Sequence, residues 1–130
     1  MVQSIDKLLT SNSVEKGTKG ADFDFRLKIV GNNIFIKGNK NAFSSHGFGQ
    51  FLQDKSIAHL YLVGLATDYC IKVSAIKAIA QGYKVTVVRD GVAAYRCENF
   101  LMSLYTLASK GVAVVESAEL KCNSINKPLC

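Results

Sequence analysis

The sequence predicts an α/β fold, a mostly parallel sheet held between layers of helices. Two observations carry this expectation. Short runs rich in β-branched and aliphatic residues alternate with segments whose apolar residues recur every three to four positions, and the last two runs each follow closely on a glycine that closes a helical pattern. Alternation of this kind needs crossover connections, and right-handed crossovers leave the strands parallel.

The first run is Asn33 to Lys37 (NIFIK), ended by Gly38, and the second is Leu60 to Leu65 (LYLVGL). Both read as buried strands. Between them a short helix is expected from Gly47 to Gln53, with Phe48, Phe51 and Leu52 facing inward. A longer helix begins near Cys70. Its apolar side is Val73, Ile76, Ile79 and Ala80, with Asp68 or Thr67 placed to cap its start and Gly82 its end. The third strand is Lys84 to Arg89 (KVTVVR). Phe100, Leu101, Leu104 and Leu107 then form the stripe of another helix, which stops at Gly111 and leads into a fourth strand, Val112 to Val115. The segment before Asn33 differs. Met1 to Leu27 is mostly polar and holds no convincing strand, so the chain is expected to enter its fold through a loop.

With 130 residues, the chain can build one core and is too short for two, so a single domain over residues 1–130 is expected. The apolar share of 48% and the single proline suit a globular chain. No window approaches eighteen consecutive apolar residues, and the start, MVQSIDKLLTSNS, lacks the charged-then-apolar pattern of a secretory signal. A cytoplasmic location without membrane association follows as the expectation. The net charge of +6 comes from lysines scattered singly, such as Lys16, Lys28, Lys55 and Lys77, with no basic block. No nucleic-acid partner is expected on that footprint.

The cysteines Cys70, Cys97, Cys122 and Cys130 form no CxxC pair and no cysteine–histidine cluster with zinc spacing. In a reducing cytosol they should be thiols. Cys122 and Cys130 lie close enough in sequence for a bridge if the compartment were oxidising.

Ligands of parallel α/β sheets bind beyond the carboxyl ends of the strands. Here those places are Lys37 to Ser45, Leu65 to Cys70 and Asp90 to Tyr95. Cys70 stands at or near the first turn of a helix, where unpaired N–H groups and the positive end of the helix dipole stabilise a thiolate. The same groups suit an oxyanion during attack on a carbonyl. The other three cysteines lack this setting and read as structural. Lys37 ends a strand on the same edge of the predicted sheet, and a cation there would favour the thiolate further.

GLATDYC (Gly64 to Cys70), continuing through Ile71, the alanine-rich helix, Gly82-Tyr83 and VTVVRDGVAAY, resembles the isochorismatase-like cysteine hydrolases, which include the nicotinamidases. KGNKNAF (Lys37 to Phe43) and KGTKGADF (Lys16 to Phe23) add to the resemblance, which covers roughly Gly17 to Val115. It implies a three-layer, Rossmann-like α/β/α fold and a triad of aspartate, lysine and cysteine. Lys37 and Cys70 match two members. The third, an aspartate ending the first strand in an apolar-Asp-x-Gln context, has no counterpart. Asp6 follows Gln3, Ser4 and Ile5 and precedes Lys7, so it is not assigned.

The resemblance also implies an oxyanion hole from the N–H groups of Ala66 and Cys70, accompanied by a cis peptide at Leu65-Ala66, and a pocket lined by Phe43 and Tyr69. Family nicotinamidases carry a divalent metal on aspartate and histidines of the early region. His46 and His59 lie outside that region and read as structural, so no metal or other cofactor is expected. Similar proteins place their first strand between the strand ending at Lys37 and the one ending at Leu65. The chain therefore reads as N-terminally truncated, with a gap left for a complementing N-terminal fragment or another copy, unless it repacks or is a decayed product.

The implied activity is hydrolysis of a small carboxamide, nicotinamide to nicotinate and ammonia in the first instance, as in NAD salvage. Isochorismate or a ureido acid remains open as substrate. The competing reading is a non-catalytic remnant or subunit of the same fold.

Overall fold

The computed structural model describes residues 2–4, 18, 19, 22, 23, 25, 26 and 28–120. Two compact units divide the chain, Met1–Ala58 and His59–Cys130. The fold is α/β, built on parallel strands in both units.

In the first unit, strand β1 (Val2–Ser4) runs parallel to β2 (Phe35–Lys37), with Val2 beside Phe35 and Ser4 beside Lys37. This corrects the expectation that no strand precedes Asn33. Val-Gln-Ser is too short to show a period, and what makes it a strand is its pairing with residues more than thirty positions away. The expectation of a buried first run is also corrected. Ile34 and Ile36 are exposed, Phe35 is half-buried, and Lys37 is the buried residue of β2.

After β2, Asn41 caps a short 3-10 turn (Ala42–Ser44) by accepting the Phe43 N–H at 3.0 Å. Helix α1 (Phe48–Asp54) starts after Gly47, whose φ of 77° suits a residue without a Cβ. Its inward face is the expected one. Leu52 is buried, and the rings of Phe48 and Phe51 lie 5.3 and 5.2 Å from that of Phe35.

The second unit holds a three-stranded parallel sheet in the order β3-β4-β5: β3 (His59–Leu65), β4 (Lys84–Ala93) and β5 (Ala113–Val115). A π turn (Thr67–Ile71) and helix α2 (Lys72–Ala80) join β3 to β4, and helix α3 (Cys97–Ser109) joins β4 to β5. Two right-handed crossovers in one direction put both helices on one face of the sheet. α2 and α3 accordingly touch each other, α2 packing on β4 and α3 on β5.

Both helices end as their glycines predict. Gly82 (φ 88°) and Gly111 (φ 86°) take the left-handed conformation. Tyr83 N–H then reaches back to Ala78 O at 3.1 Å and Val112 N–H to Leu107 O at 3.1 Å, the six-to-one bond of a glycine-terminated helix.

The core is Ala75 and Ala78 of α2, Leu104 and Leu107 of α3, and Val85, Val87 and Val88 of β4, with Val112 at the approach to β5. Each fully buried valine or leucine here stabilises by about 1.5–3 kcal/mol. The inward side of α2 is Ile71, Ser74, Ala75 and Ala78, whereas Val73 and Ala80 are exposed and Ile76 and Ile79 half-buried. Small side chains let α2 lie close to β4, so the bulkier residues of the expected stripe fall to its flanks. Leu101 of α3 is likewise exposed, with Met102 and Tyr105.

β3 is not the buried strand its composition suggests. Tyr61, Val63 and Leu65 are 54%, 60% and 67% exposed. These three alternate along the strand and so share one face, which is exposed. β3 is also an edge strand of its sheet, and among the described residues no strand pairs with its outer side. The Lys37 strand and the Leu65 strand therefore share no ladder. Between Leu62 and Gly64 the register shifts, because β4 advances from Val87 to Val92 while β3 moves on two residues. The extra residues, which include Arg89, Asp90 and Gly91, swell out at the carboxyl end of the sheet.

Candidate active site

The turn that bears Cys70 begins where β3 ends. The peptide joining Leu65 to Ala66 is cis, as the sequence resemblance implies. Ala66 is buried and extended (φ −111°, ψ 145°), and its carbonyl accepts two N–H groups, from Tyr69 at 3.0 Å and from Ile71 at 3.2 Å. The second bond spans five residues and gives the turn its π character. Such turns are rare and recur at functional sites. Neither Thr67 nor Asp68 is a cap: the capping position of the π turn is Ala66 and that of α2 is Ile71, neither with a side-chain bond. Cys70 thus lies inside the π turn, half-buried and not in a disulfide, one turn ahead of α2.

The neighbours of this turn come from the start of α3. Asn99 Nδ2 donates to Asp68 Oδ2 at 3.2 Å. The Tyr69 and Tyr95 rings meet edge to face, 5.8 Å apart. Two buried polar atoms of the turn, Thr67 Oγ1 and Asp68 Oδ1, have no hydrogen-bond partner. Buried acceptors without donors are uncommon and mark a place where some function or further ligand is to be sought. The sequence reading missed Asn99, because an asparagine in the first turn of a helix carries no signal of what it touches across the fold.

Lys37 and Phe43 belong to the other unit. Lys37 is 3% exposed, and its Nζ donates to Asn39 O at 2.8 Å. Lysines are almost never buried this far without a specific cause. Phe43 packs edge to face on Phe48 at 5.3 Å, so it has a place in the aromatic cluster around α1.

Cys97, read as structural, is exposed at the first residue of α3, next to Arg96. It therefore shares with Cys70 the helix-start setting. Cys122, Cys130 and Asp6 lie outside the described residues. His59 is held by Thr86 Oγ1 at 2.8 Å and stacks on Tyr61, and His46 is exposed. Among the described residues no three His, Cys, Asp or Glu side chains converge, so those residues do not fit the divalent metal that the resemblance implies. No helix among them is long and apolar enough to cross a membrane.

At the neighbouring strand end, Asp90 accepts from the Ser117 N–H at 2.8 Å and from its hydroxyl at 2.5 Å. These bonds, the hydroxyl's first, hold the Asp90 carboxyl below its ordinary 3.8. The clip ties the bulge of β4 to the turn after β5.

The described units define a parallel α/β protein with a cysteine at the start of a helix beyond a strand end, and comparison with known proteins makes the class specific. Residues 2–119 match the isochorismatase domain, and the chain belongs to that family. A segment of 41 residues is 49% identical to the nicotinamidase of Escherichia coli, covering 32% of this chain and 19% of that protein. A probable inactive nicotinamidase of Arabidopsis thaliana is 31% identical over 102 residues, 76% of this chain and 52% of that one. The structure of an isochorismatase-like hydrolase from Alkaliphilus metalliredigens superposes with a TM-score of 0.78 at 27% identity, covering 88% of this chain and 65% of that chain. The chain thus spans less than two thirds of the length of each of these relatives.

Proposed function

We propose that this chain carries the nucleophile of a carboxamide hydrolase of the nicotinamidase type. The observation that supports it most is the place of Cys70, in a π turn between the carboxyl end of a parallel strand and a helix. The Cys70 thiolate attacks the carbonyl carbon of nicotinamide, and the oxyanion is held by the N–H groups of Ala66 and Cys70. The C–N bond breaks, ammonia leaves with the proton delivered to it, and a thioester remains. Water then attacks the thioester, releasing nicotinate and restoring the thiol. In this scheme Lys37 favours the thiolate, and its burial supports a role beyond solvation. Phe43 and Tyr69 line the substrate, and the reaction belongs to NAD salvage in the cytoplasm.

The thiol proton must be accepted and passed to ammonia, a role worth about a hundred- to ten-thousand-fold in rate. No aspartate among the described residues is assigned to it. We assign it to a complementing N-terminal strand, and the outer edge of β3, which pairs with no strand among the described residues, supports a place for such a strand. Ammonia release from nicotinamide tests the reading. The 130-residue chain alone should stay near background, and adding a separately expressed fragment with a strand ending in Asp-x-Gln should raise the rate. No ammonia from the complemented protein would overturn it in favour of a second reading, a non-catalytic member of the family. That reading is favoured by the likeness to the probable inactive nicotinamidase.

A further inference from the structure

β3 and β4 run side by side to their carboxyl ends, where Leu65 pairs with Ala93. The chain leaves β3 into the π turn that holds Tyr69, and it leaves β4 toward α3 through Tyr95. Each tyrosine follows its strand by a few residues, so both stand at the end of the sheet where ligands of parallel α/β folds bind. Their rings meet there edge to face, with centroids 5.8 Å apart and planes inclined at 75°.

The two partners are held unequally. Tyr69 belongs to the π turn, its N–H bonded to Ala66 O at 3.0 Å, and it is half-buried. Tyr95 lies in the short link between β4 and α3 and is 61% exposed, so losing its ring leaves no cavity in the core. What the contact does is restrict Tyr69. A tyrosine ring turns about two side-chain torsions, and an edge-to-face partner favours one setting over the others. Tyr69 immediately precedes Cys70, so that setting shapes the space beside the thiol.

We propose that Tyr95 is a positioning residue for aromatic substrates, acting through Tyr69: its ring holds the Tyr69 ring where a flat heteroaromatic acyl group stacks on it with the carbonyl carbon at Cys70. The proposal rests on the reading of Cys70 as nucleophile and Tyr69 as substrate-lining. It adds a preference, since ring-bearing carboxamides gain from the tyrosine pair and aliphatic ones do not. The contact is made by the ring, so phenylalanine should serve in place of Tyr95.

The test compares bromoacetylpyridine with bromoacetone, which alkylate a thiolate with loss of bromide and differ in the ring. Rates at Cys70 are read by peptide mapping in the full chain, each divided by the rate with free cysteine. The ratio of the two then reports recognition of the ring apart from the state of the thiol. In the parent it should favour the pyridine reagent. Tyr95→Ala should lower the ratio on the order of fivefold, the weight of one edge-to-face pair, with the bromoacetone rate kept. Tyr95→Phe should retain the parent ratio. In Tyr69→Ala the ratio should already be low, and adding Tyr95→Ala should lower it no further. A merely structural role for Tyr95 would slow both reagents alike. That result, a parent that does not distinguish the reagents, a ratio unchanged in Tyr95→Ala, or a further fall in the double variant would overturn the proposal. Failure of the amidase reading would appear separately, as absence of ammonia from the complemented protein with the Tyr95 dependence of the ratio intact.

Discussion

Asp90 and Ser117 join the ends of neighbouring strands through two bonds, the Ser117 N–H and hydroxyl both donating to the one carboxylate. Folding lowers the Asp90 pKa, so the clip contributes fully above the ordinary 3.8 and is lost as pH falls below it through the lowered value. Carbon-13 titration of the Asp90 carboxyl should give a midpoint below 3.8 in the parent. In Ser117→Ala, which removes the largest cause, the midpoint should move back up. An unchanged midpoint would mean that the hydroxyl does not hold the carboxylate.

The bulge carrying Asp90 depends on a close approach at its other end. A Cβ on Gly91 would stand 2.8 Å from Val63 Cγ1. Valine has few rotamers to give, so Gly91→Ala should cost about 1–2 kcal/mol. Urea unfolding measures it. In a Val63→Ala background the same substitution should cost little, and a full cost there would place the strain elsewhere.

Leu107 and Leu101 of α3 differ sharply in burial, 0% and 65% exposed. Leu107→Ala should destabilise by about 2–5 kcal/mol, through lost burial and the cavity left behind. Leu101→Ala should stay within about 0.5 kcal/mol. Equal losses in thermal or urea unfolding would contradict the assignment of the inward face.

The second unit was the more legible half of the sequence. β-branched runs marked β4 and β5, and Gly82 and Gly111 marked both helix ends, because these signals act locally through allowed φ and ψ. Which face of α2 turns inward was not legible. Ala75 and Ala78 win that side by closeness of approach, and hydrophobicity alone favours Val73 and Ile76. β1 was invisible for a related reason, since Val2–Ser4 is defined by its partner β2 and not by its own pattern. At the candidate site, Cys70 and the turn could be read from GLATDYC. The Asp68–Asn99 bond could not, because it joins residues 31 positions apart.

Cys70 and Cys97 supply the sharpest comparison in the molecule. Both stand at helix starts, and Cys97 is the more exposed. If exposure alone governed reactivity, Cys97 would lead. If Cys70 is the proposed nucleophile, the π turn should instead set it apart. Timed iodoacetamide labelling of the folded chain with peptide mapping decides between them. The predicted result is modification of Cys70 ahead of Cys97, Cys122 and Cys130, with the order lost in urea. Faster labelling of Cys97, Cys122 or Cys130 in the folded protein would contradict the account.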